Sequence, residues 1–403
     1  MLKFDYEAKD PKTGKHVKAV VQAESERAAA KLLMEQDLIP VNIVEQSKNG
    51  SVFQRLSNRI STKDRVVFTR QLSTLISAGL PLTQSLHTVI DQTENKKLKS
   101  IAQEVLTTVE SGSSLADAFA KHPEVFDRVF IALVTAGEAS GTLDKALERI
   151  ALQQEKDAEM ISKIRGALVY PIIVLVVIFA VLAFMLFTVV PQVEKLYHDL
   201  RQELPFITAI LVGTANFLIN YWWAVLLVLV AAVFFTKRYF DTEGGQKTKD
   251  LVKLNMPIFG ELFRKLYMAR FMRTGQTLMS TGVPMLDTLR ICAQAVNNTI
   301  VARSISRAAE KVKGGRSLGD SLEREDYILT LVPQMLKIGE QSGQIDSMMG
   351  KTAAVYENEL DNTIKSISTA IEPVLMVVLA IVAGFIVAAI LLPIYQLVET
   401  VRV

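Results

Sequence analysis

The pentapeptide Gly-Glu-x-Ser-Gly occurs twice, as GEASG from Gly137 to Gly141 and as GEQSG from Gly339 to Gly343. Each copy holds a carboxylate and a hydroxyl between glycines. The serines, Ser140 and Ser342, do not form a nucleophile elbow: the GxSxG spacing and its strand–turn–helix setting are both missing. For Gly137, Gly141, Gly339 and Gly343 a structural role suffices, with Gly-Glu closing one helix and Ser-Gly turning the chain into the next. A helix end does not demand a carboxylate. Two readings of Glu138 and Glu340 therefore stay open: acceptors for nearby backbone N–H groups, or acceptors offered to a partner or a divalent ion.

Little else in the chain has catalytic spacing. There is no GxxxxGK[ST] phosphate loop and no HExxH pair, so neither nucleotide hydrolysis nor zinc chemistry is expected. The four histidines, His16, His87, His122 and His198, are scattered over three regions. The single cysteine, Cys292, excludes an internal disulfide, and in the helical text LRICAQA it reads as a small buried thiol. A net charge of +3 gives no argument for nucleic acid. The chain is expected to be no enzyme, with no catalytic residue, cofactor or metal.

The two corners belong to a larger duplication. Phe68 and Phe271 begin FTRQLSTLISAGLPLTQSL and FMRTGQTLMSTGVPMLDTL, with Gly79 and Pro81 answering to Gly282 and Pro284 at an offset of 203. Gly137 and Gly339, Glu138 and Glu340, and Pro171 and Pro373 follow at 202, so about 120 residues repeat with one deletion. A repeat this long is a duplicated domain and not a solenoid unit.

Each copy runs into an apolar stretch. Half of the 403 residues are hydrophobic, 22% are charged, and mean hydropathy is +0.26. Residues 168–190 and 373–395 each reach the roughly 20 residues that a spanning helix needs. A third run, 217–236, carries the interfacial aromatics Tyr221, Trp222 and Trp223. The charged N-terminus predicts insertion through these internal spans without a cleaved signal. Basic residues flank the runs on one side: Lys156, Lys163 and Arg165 before the first, Lys237, Arg238, Lys247, Lys249 and Lys253 after the second, Lys351 and Lys365 before the third. The positive-inside bias predicts a cytoplasmic N-terminus and an outside C-terminus. The middle span then lets both copies share one orientation, as parallel and not inverted repeats.

Within the copies, glycines and prolines punctuate helices. Ser61 with Asp64, Ser114 with Asp117 and Ser317 with Asp320 have capping-box spacing. Gly79 and Gly112 end helices, and Pro81 suits a first turn. The implied unit is a bundle of about six short helices, the last continuous with its anchor. Near the N-terminus, alternation from Phe4, a DPKTG turn and the helical SERAAAKLLMEQ predict β-β-α-β.

The expected architecture is an all-α membrane protein with two duplicated cytoplasmic six-helix bundle domains, three transmembrane helices and a small β-β-α-β N-terminal unit. Its segments are that unit at 1–46, a linker at 47–60, repeat 1 at 61–167, and the first span at 168–190. An outer-side connection at 191–216, the second span at 217–236 and a cytoplasmic connection at 237–263 follow. Repeat 2 covers 264–372, entering the third span at Glu372 and Pro373; the span covers 373–395, and 396–403 is an outer-side tail. In that last span Ala380, Gly384 and Ala388 recur every four residues, which permits close helix approach, either to another span of this chain or to a second copy.

RGALVYPIIVL, PQVEKLYHDLRQELPFITAIL, MPIFGELFRKLYMARFMRTGQTLMSTGVPML, VPQMLKIGEQSGQ and EPVLMVVLAIVAGFIVAAILLPI together resemble the type II secretion system F / type IV pilus inner-membrane platform family. The likeness covers nearly the whole chain; one departure is Gly166, where asparagine is more usual. The resemblance implies an inner-membrane platform that couples a hexameric cytoplasmic assembly ATPase to polymerisation of pilins or pseudopilins. It also implies contacts with other inner-membrane assembly components and with membrane lipid, and self-association into a homo-oligomer. A membrane transporter or channel subunit is the rival reading. It is weakened by the lack of ionisable residues in the centres of the spans.

Overall fold

The computed structural model describes residues 2–9, 16–23, 30, 32, 34, 39–45, 59–199 and 206–401. Strands β1 (Leu2–Lys9), β2 (His16–Ala23) and β3 (Ile39–Glu45) form an antiparallel sheet in the order β2-β1-β3. The register of β1 on β3 shifts between Glu7 and Ala8, where Pro40 joins the ladder. Most of the helix expected from Ser25, and all of the expected linker up to residue 58, lie outside the described residues.

Six helices make the first repeat: α1 (Thr62–Ser77), α2 (Leu82–Gln92), α3 (Lys96–Glu110), α4 (Leu115–Ala120), α5 (Arg128–Ser140) and α6 (Leu143–Phe184). Helix α6 passes through a π-helical turn, Met185–Val189, into α7 (Val190–Asp199). Helices α8 (Phe206–Asn220), α9 (Trp222–Phe240) and α10 (Glu243–Asn255) lead to the second repeat. That repeat comprises α11 (Phe259–Ser280), α12 (Met285–Ala295), α13 (Thr299–Lys313), α14 (Leu318–Glu323), α15 (Leu331–Ser342) and α16 (Ile345–Val401).

The two sets of six correspond helix for helix, and the punctuation explains why. Pro81 and Pro284 sit at the N-caps of α2 and α12, where a fixed φ is compatible with helix entry and no N–H is missed. Gly79 and Gly282, just before them, adopt φ of 84° and 85°, a region costly for any side chain. Ser114 and Ser317 accept the N–H of Asp117 and Asp320, so both six-residue helices are capped alike.

The cores are filled differently. In the first repeat Phe119 packs edge-on against Phe130 at 4.9 Å and against Phe126 at 4.3 Å, with Phe68 beside them. The second repeat keeps Phe271 in the place of Phe68 but puts Leu322 in the place of Phe119, with Met272, Leu318 and Leu336 also buried. Each such side chain contributes about 1.5–3 kcal/mol when fully buried. Cys292 is among them, wholly buried, with its thiol pushed up by desolvation.

Among the described residues three helices are long and apolar enough to cross a membrane: those containing 143–199, Trp222–Phe240, and α16. Their apolar parts turn large side chains outward. Val176, Phe179, Leu229, Phe235, Met376 and Ile381 are all exposed, and α9 buries no residue at all. Such continuous apolar exposure suits lipid, and a helix satisfies its backbone internally.

The middle run departs from the sequence expectation. One helix was expected from Phe217, but the chain bends at Tyr221 (φ −116°, ψ 22°), and the apolar helix long enough to span starts at Trp222. The preceding residues belong to α8, which is itself apolar but too short to cross. The connection expected at 191–216 is largely helical: α7 and α8 pack through Val190, Val212 and Ala215, and Asn216 donates to Glu194. An apolar face on each helix gives the pair its own small core.

Candidate functional site

The GExSG corners resolve into repeated joints. Helix α5 ends at Gly141, left-handed at φ 69°, with Thr142 N donating to Gly137 O at 2.8 Å. Gly343 ends α15 in the same way at φ 68°, with Gln344 N donating to Gly339 O at 2.9 Å. Ser140 and Ser342 turn back to donate to Ala136 O and Ile338 O, which occupies their hydroxyls within the helix. The first glycine of each motif faces the next helix. A Cβ on Gly137 would lie 2.6 Å from Ala146 Cβ, and one on Gly339 would lie 2.9 Å from Ile345 Cα. Glycine there lets consecutive helices meet nearly backbone to backbone.

The glutamates reach sideways. Glu138 accepts Leu115 N at 2.6 Å and Ala116 N at 2.9 Å; Glu340 accepts Leu318 N at 2.5 Å and Gly319 N at 3.1 Å. With Ser114 and Ser317 on the third N–H, the opening donors of α4 and α14 are all satisfied. A carboxylate suits this position because the helix N-terminus carries partial positive charge. Of the two readings left open by the sequence, the geometry favours the backbone acceptor. Among the described residues no three His, Cys, Asp or Glu side chains converge in a way that could hold a metal ion.

A second repeated joint escaped the sequence reading. Arg70 on α1 forms a two-pronged ion pair with Glu155 on α6, and Arg273 on α11 does the same with Glu357 on α16 at 2.8 Å. The hydrogen bond from Arg70 holds the Glu155 carboxyl below its ordinary range despite desolvation. The signal was in the sequence, since these arginines and glutamates keep the offsets of the duplication.

One equivalent position has reversed its chemistry. In the second repeat Glu325, nearly wholly buried, accepts from Arg307 at 2.5 Å and Lys311 at 2.7 Å. Burial would raise this carboxyl, but the two cations outweigh it and hold it low. The same places in the first repeat carry Glu104 and His122, whose nearest atoms are 3.4 Å apart. The duplication preserved a polar pair while moving the acid from α3, where Glu104 stands, to the turn after α14, where Glu325 stands.

The repeats meet along α6, α11 and α16. Gln153 donates to Thr274 at 2.9 Å, and Lys163 pairs with Asp361 at 2.6 Å across the two long helices. Between them lies a cleft of about 720 Å³ bordered by Arg65, Asp127, Arg128, Asp157 and Arg270, with apolar residues such as Val66 and Ile291. Asp157 stands 3.7 Å from Arg270, yet desolvation in the cleft wall pushes its carboxyl up. The cleft joins fixed charges of both signs.

In the third span Ala380 and Gly384 are exposed, Ala388 is half-buried, and a Cβ on Gly384 would meet open space. Glu372 and Pro373 are likewise exposed. Among the described residues no other span covers Gly384.

Comparison with known proteins places the chain firmly. It matches the family described as type II secretion system (T2SS), protein F over residues 68–191 and again over 271–393. Residues 1–44 match the type II secretion system protein F N-terminal domain. A type IV pilus assembly protein PilC from Thermus thermophilus is 37% identical over 99% of both chains. A PilC from Myxococcus xanthus is 37% identical over 98% of this chain and 94% of its own length. A type II secretion system protein F from Vibrio cholerae is 33% identical over 98% of both.

Proposed function

The chain belongs to the type II secretion system protein F family, and we propose that it couples a cytoplasmic assembly ATPase to polymerisation of pilins or pseudopilins. The family and its relatives' names support the broader statement, an inner-membrane platform of a pilus or secretion machine. The observation that carries the finer reading is mechanical. Each lobe is built on the same helix that enters the membrane: α6 with its continuation to Asp199, and α16, each 57 residues and about 85 Å long. A rotation or push applied to a lobe is thereby delivered into the bilayer without a flexible joint.

In this reading both lobes and the N-terminal unit face the cytoplasm, the C-terminus lies outside, and α9 returns the chain between them. The basic residues before α6's apolar part, after α9's and before α16's support that orientation. The lobes are taken as 61–167 and 264–372. The ion pair between Lys163 and Asp361 ties the two drive helices together close to the membrane. The uncovered line at Ala380 and Gly384 is the surface assigned to a second copy or to a pilin helix. No catalysis by the chain itself is required, because force transmission needs joints and anchors.

The deciding experiment deletes the gene and restores it with the intact chain or with Lys163→Glu. Loss of surface fibres or secreted protein on deletion, together with co-purification of the ATPase with the intact chain, is expected. Normal assembly without the chain, or ion flux through reconstituted liposomes in place of ATPase binding, would replace this reading with the transporter one.

A further inference from the structure

Helix α10 and the turn that follows it leave an apolar surface uncovered. Leu251, Val252 and Met256 are exposed, and Ile258 is 64% exposed. Ile258 also has φ 70° and ψ −48°, with Phe259 N bonded to Pro257 O at 2.8 Å. This is a γ-turn with a β-branched residue at its strained centre. Backbone strain that presents an isoleucine to the outside calls for something to receive it.

The opposite side of α10 is fully used. Leu254 is buried, and Asp250 accepts Thr299 N at 2.8 Å, helping Asn298 to cap α13. Helical spacing puts Leu251 and Val252 away from these residues, with the exposed Lys247 and Lys249 at the margins of that face.

Two markers fix the level of this face. Helix α10 begins directly after α9, whose last turn carries Lys237 and Arg238 at the end of an apolar span. At its other end, α11 runs antiparallel to α16: Arg273 meets Glu357 and Lys265 meets Thr363. Continuing seven residues along α11, about 10 Å, brings Ile258 level with roughly residue 370, just before the apolar part of α16. Both ends of α10 therefore stand at the same membrane boundary, and its roughly 20 Å length lies along that boundary.

We propose that α10 and the Ile258 turn form an interfacial foot on an anionic leaflet. Leu251, Val252, Met256 and Ile258 enter the headgroup–acyl boundary, and Lys247 and Lys249 contact lipid phosphates. An exposed apolar face flanked by lysines is the pattern of a helix lying in the membrane interface. The proposal rests on the placement of the spans given above, not on the identity of the machine. It assigns the second lobe a fixed seat against the bilayer.

The test uses the full chain in lipid nanodiscs, with a polarity-sensitive fluorophore on Val252→Cys; the native Cys292 is buried and unreactive. Leu229→Cys in α9 reports the span, and Gln344→Cys, about 40 Å before the apolar part of α16, reports the aqueous end of the lobe. Lipids with a nitroxide near the headgroup should quench position 252 several-fold more than position 344. Replacing anionic by zwitterionic lipid, or introducing K247E/K249E, should reduce quenching at 252 and leave 229 unchanged. If aqueous iodide quenches 252 as readily as 344 while 229 stays lipid-quenched, the foot is refuted and the spans stand. Shielding of 252 from both quenchers points to a protein partner and also overturns it. Loss of lipid quenching at 229 rejects the span placement and the foot together.

Discussion

Glu138 and Leu115 are joined across 23 positions by a 2.6 Å hydrogen bond from backbone N–H to carboxylate, and Glu340 and Leu318 repeat the joint at 2.5 Å. Each glutamate spends two oxygens on one helix N-terminus. Substitution by glutamine retains one acceptor and alanine retains none. Glu340→Gln should therefore cost about 1 kcal/mol and Glu340→Ala about 2–3 kcal/mol, with one or two buried donors left unsatisfied. The Glu138 variants should behave alike, and the double variant should be additive because the joints lie in separate lobes. Thermal unfolding of the detergent-solubilised chain measures this. If Glu340→Gln left stability intact but abolished assembly, the carboxylate would be a partner contact instead of a joint.

The neighbouring glycines make a sharper contrast. Gly137→Ala drives a methyl to 2.6 Å from Ala146 Cβ, and Gly339→Ala drives one to 2.9 Å from Ile345 Cα. Overpacking of this kind costs about 1–3 kcal/mol. Gly166, within the same helix as Ala146, has nothing within 4 Å of a new Cβ. Gly166→Ala should raise stability by up to about 1 kcal/mol through helix propensity alone. Opposite shifts in unfolding temperature for Gly137→Ala and Gly166→Ala are the expected outcome.

Much of this architecture could be read from local text, because glycines, prolines and capping serines act within one turn of where they stand. Gly79, Pro81, Ser114 and their counterparts mark helix ends in the sequence as they do in the fold. The partner of Glu138 could not be read this way. Its acceptor role depends on α4 lying against the end of α5, a tertiary fact with no local signature. The same holds for Arg70 and Glu155, 85 positions apart, although their recurrence at the repeat offset was available as a clue. The bend at Tyr221 was hidden for another reason: a single polar residue, Asn220, interrupts the apolar text before Thr236, and average hydropathy does not register a change of helix direction.

The two arginine clamps should not be equal. Arg273 and Glu357 keep 24% and 17% of their side-chain surface exposed, against 36% and 37% for Arg70 and Glu155. Water screens the first-repeat clamp more, so Arg70→Ala should cost no more than about 1 kcal/mol. Arg273→Ala leaves a better-buried carboxylate without its partner and should cost about 2–3 kcal/mol. Chemical denaturation of the two variants side by side checks the order, and a larger loss from Arg70→Ala would contradict it.

Glu325 gives the second repeat an acid-sensitive contact with Arg307 and Lys311 on α13. Its folded-state value lies below the unfolded one, so its stabilisation is complete above the ordinary glutamate range near about 4.3. The contribution disappears as pH falls through the depressed folded value, when protonation releases Arg307 and Lys311. Stability of the intact chain should therefore decline from about pH 4.5 downward, and Glu325→Gln should flatten part of that decline. At neutral pH the same substitution removes a buried carboxylate from two partly exposed cations and should cost about 1–3 kcal/mol. Unfolding temperatures of both proteins between pH 7 and pH 3 test the two statements together. Parallel curves for the wild type and Glu325→Gln would remove Glu325 from the acid response.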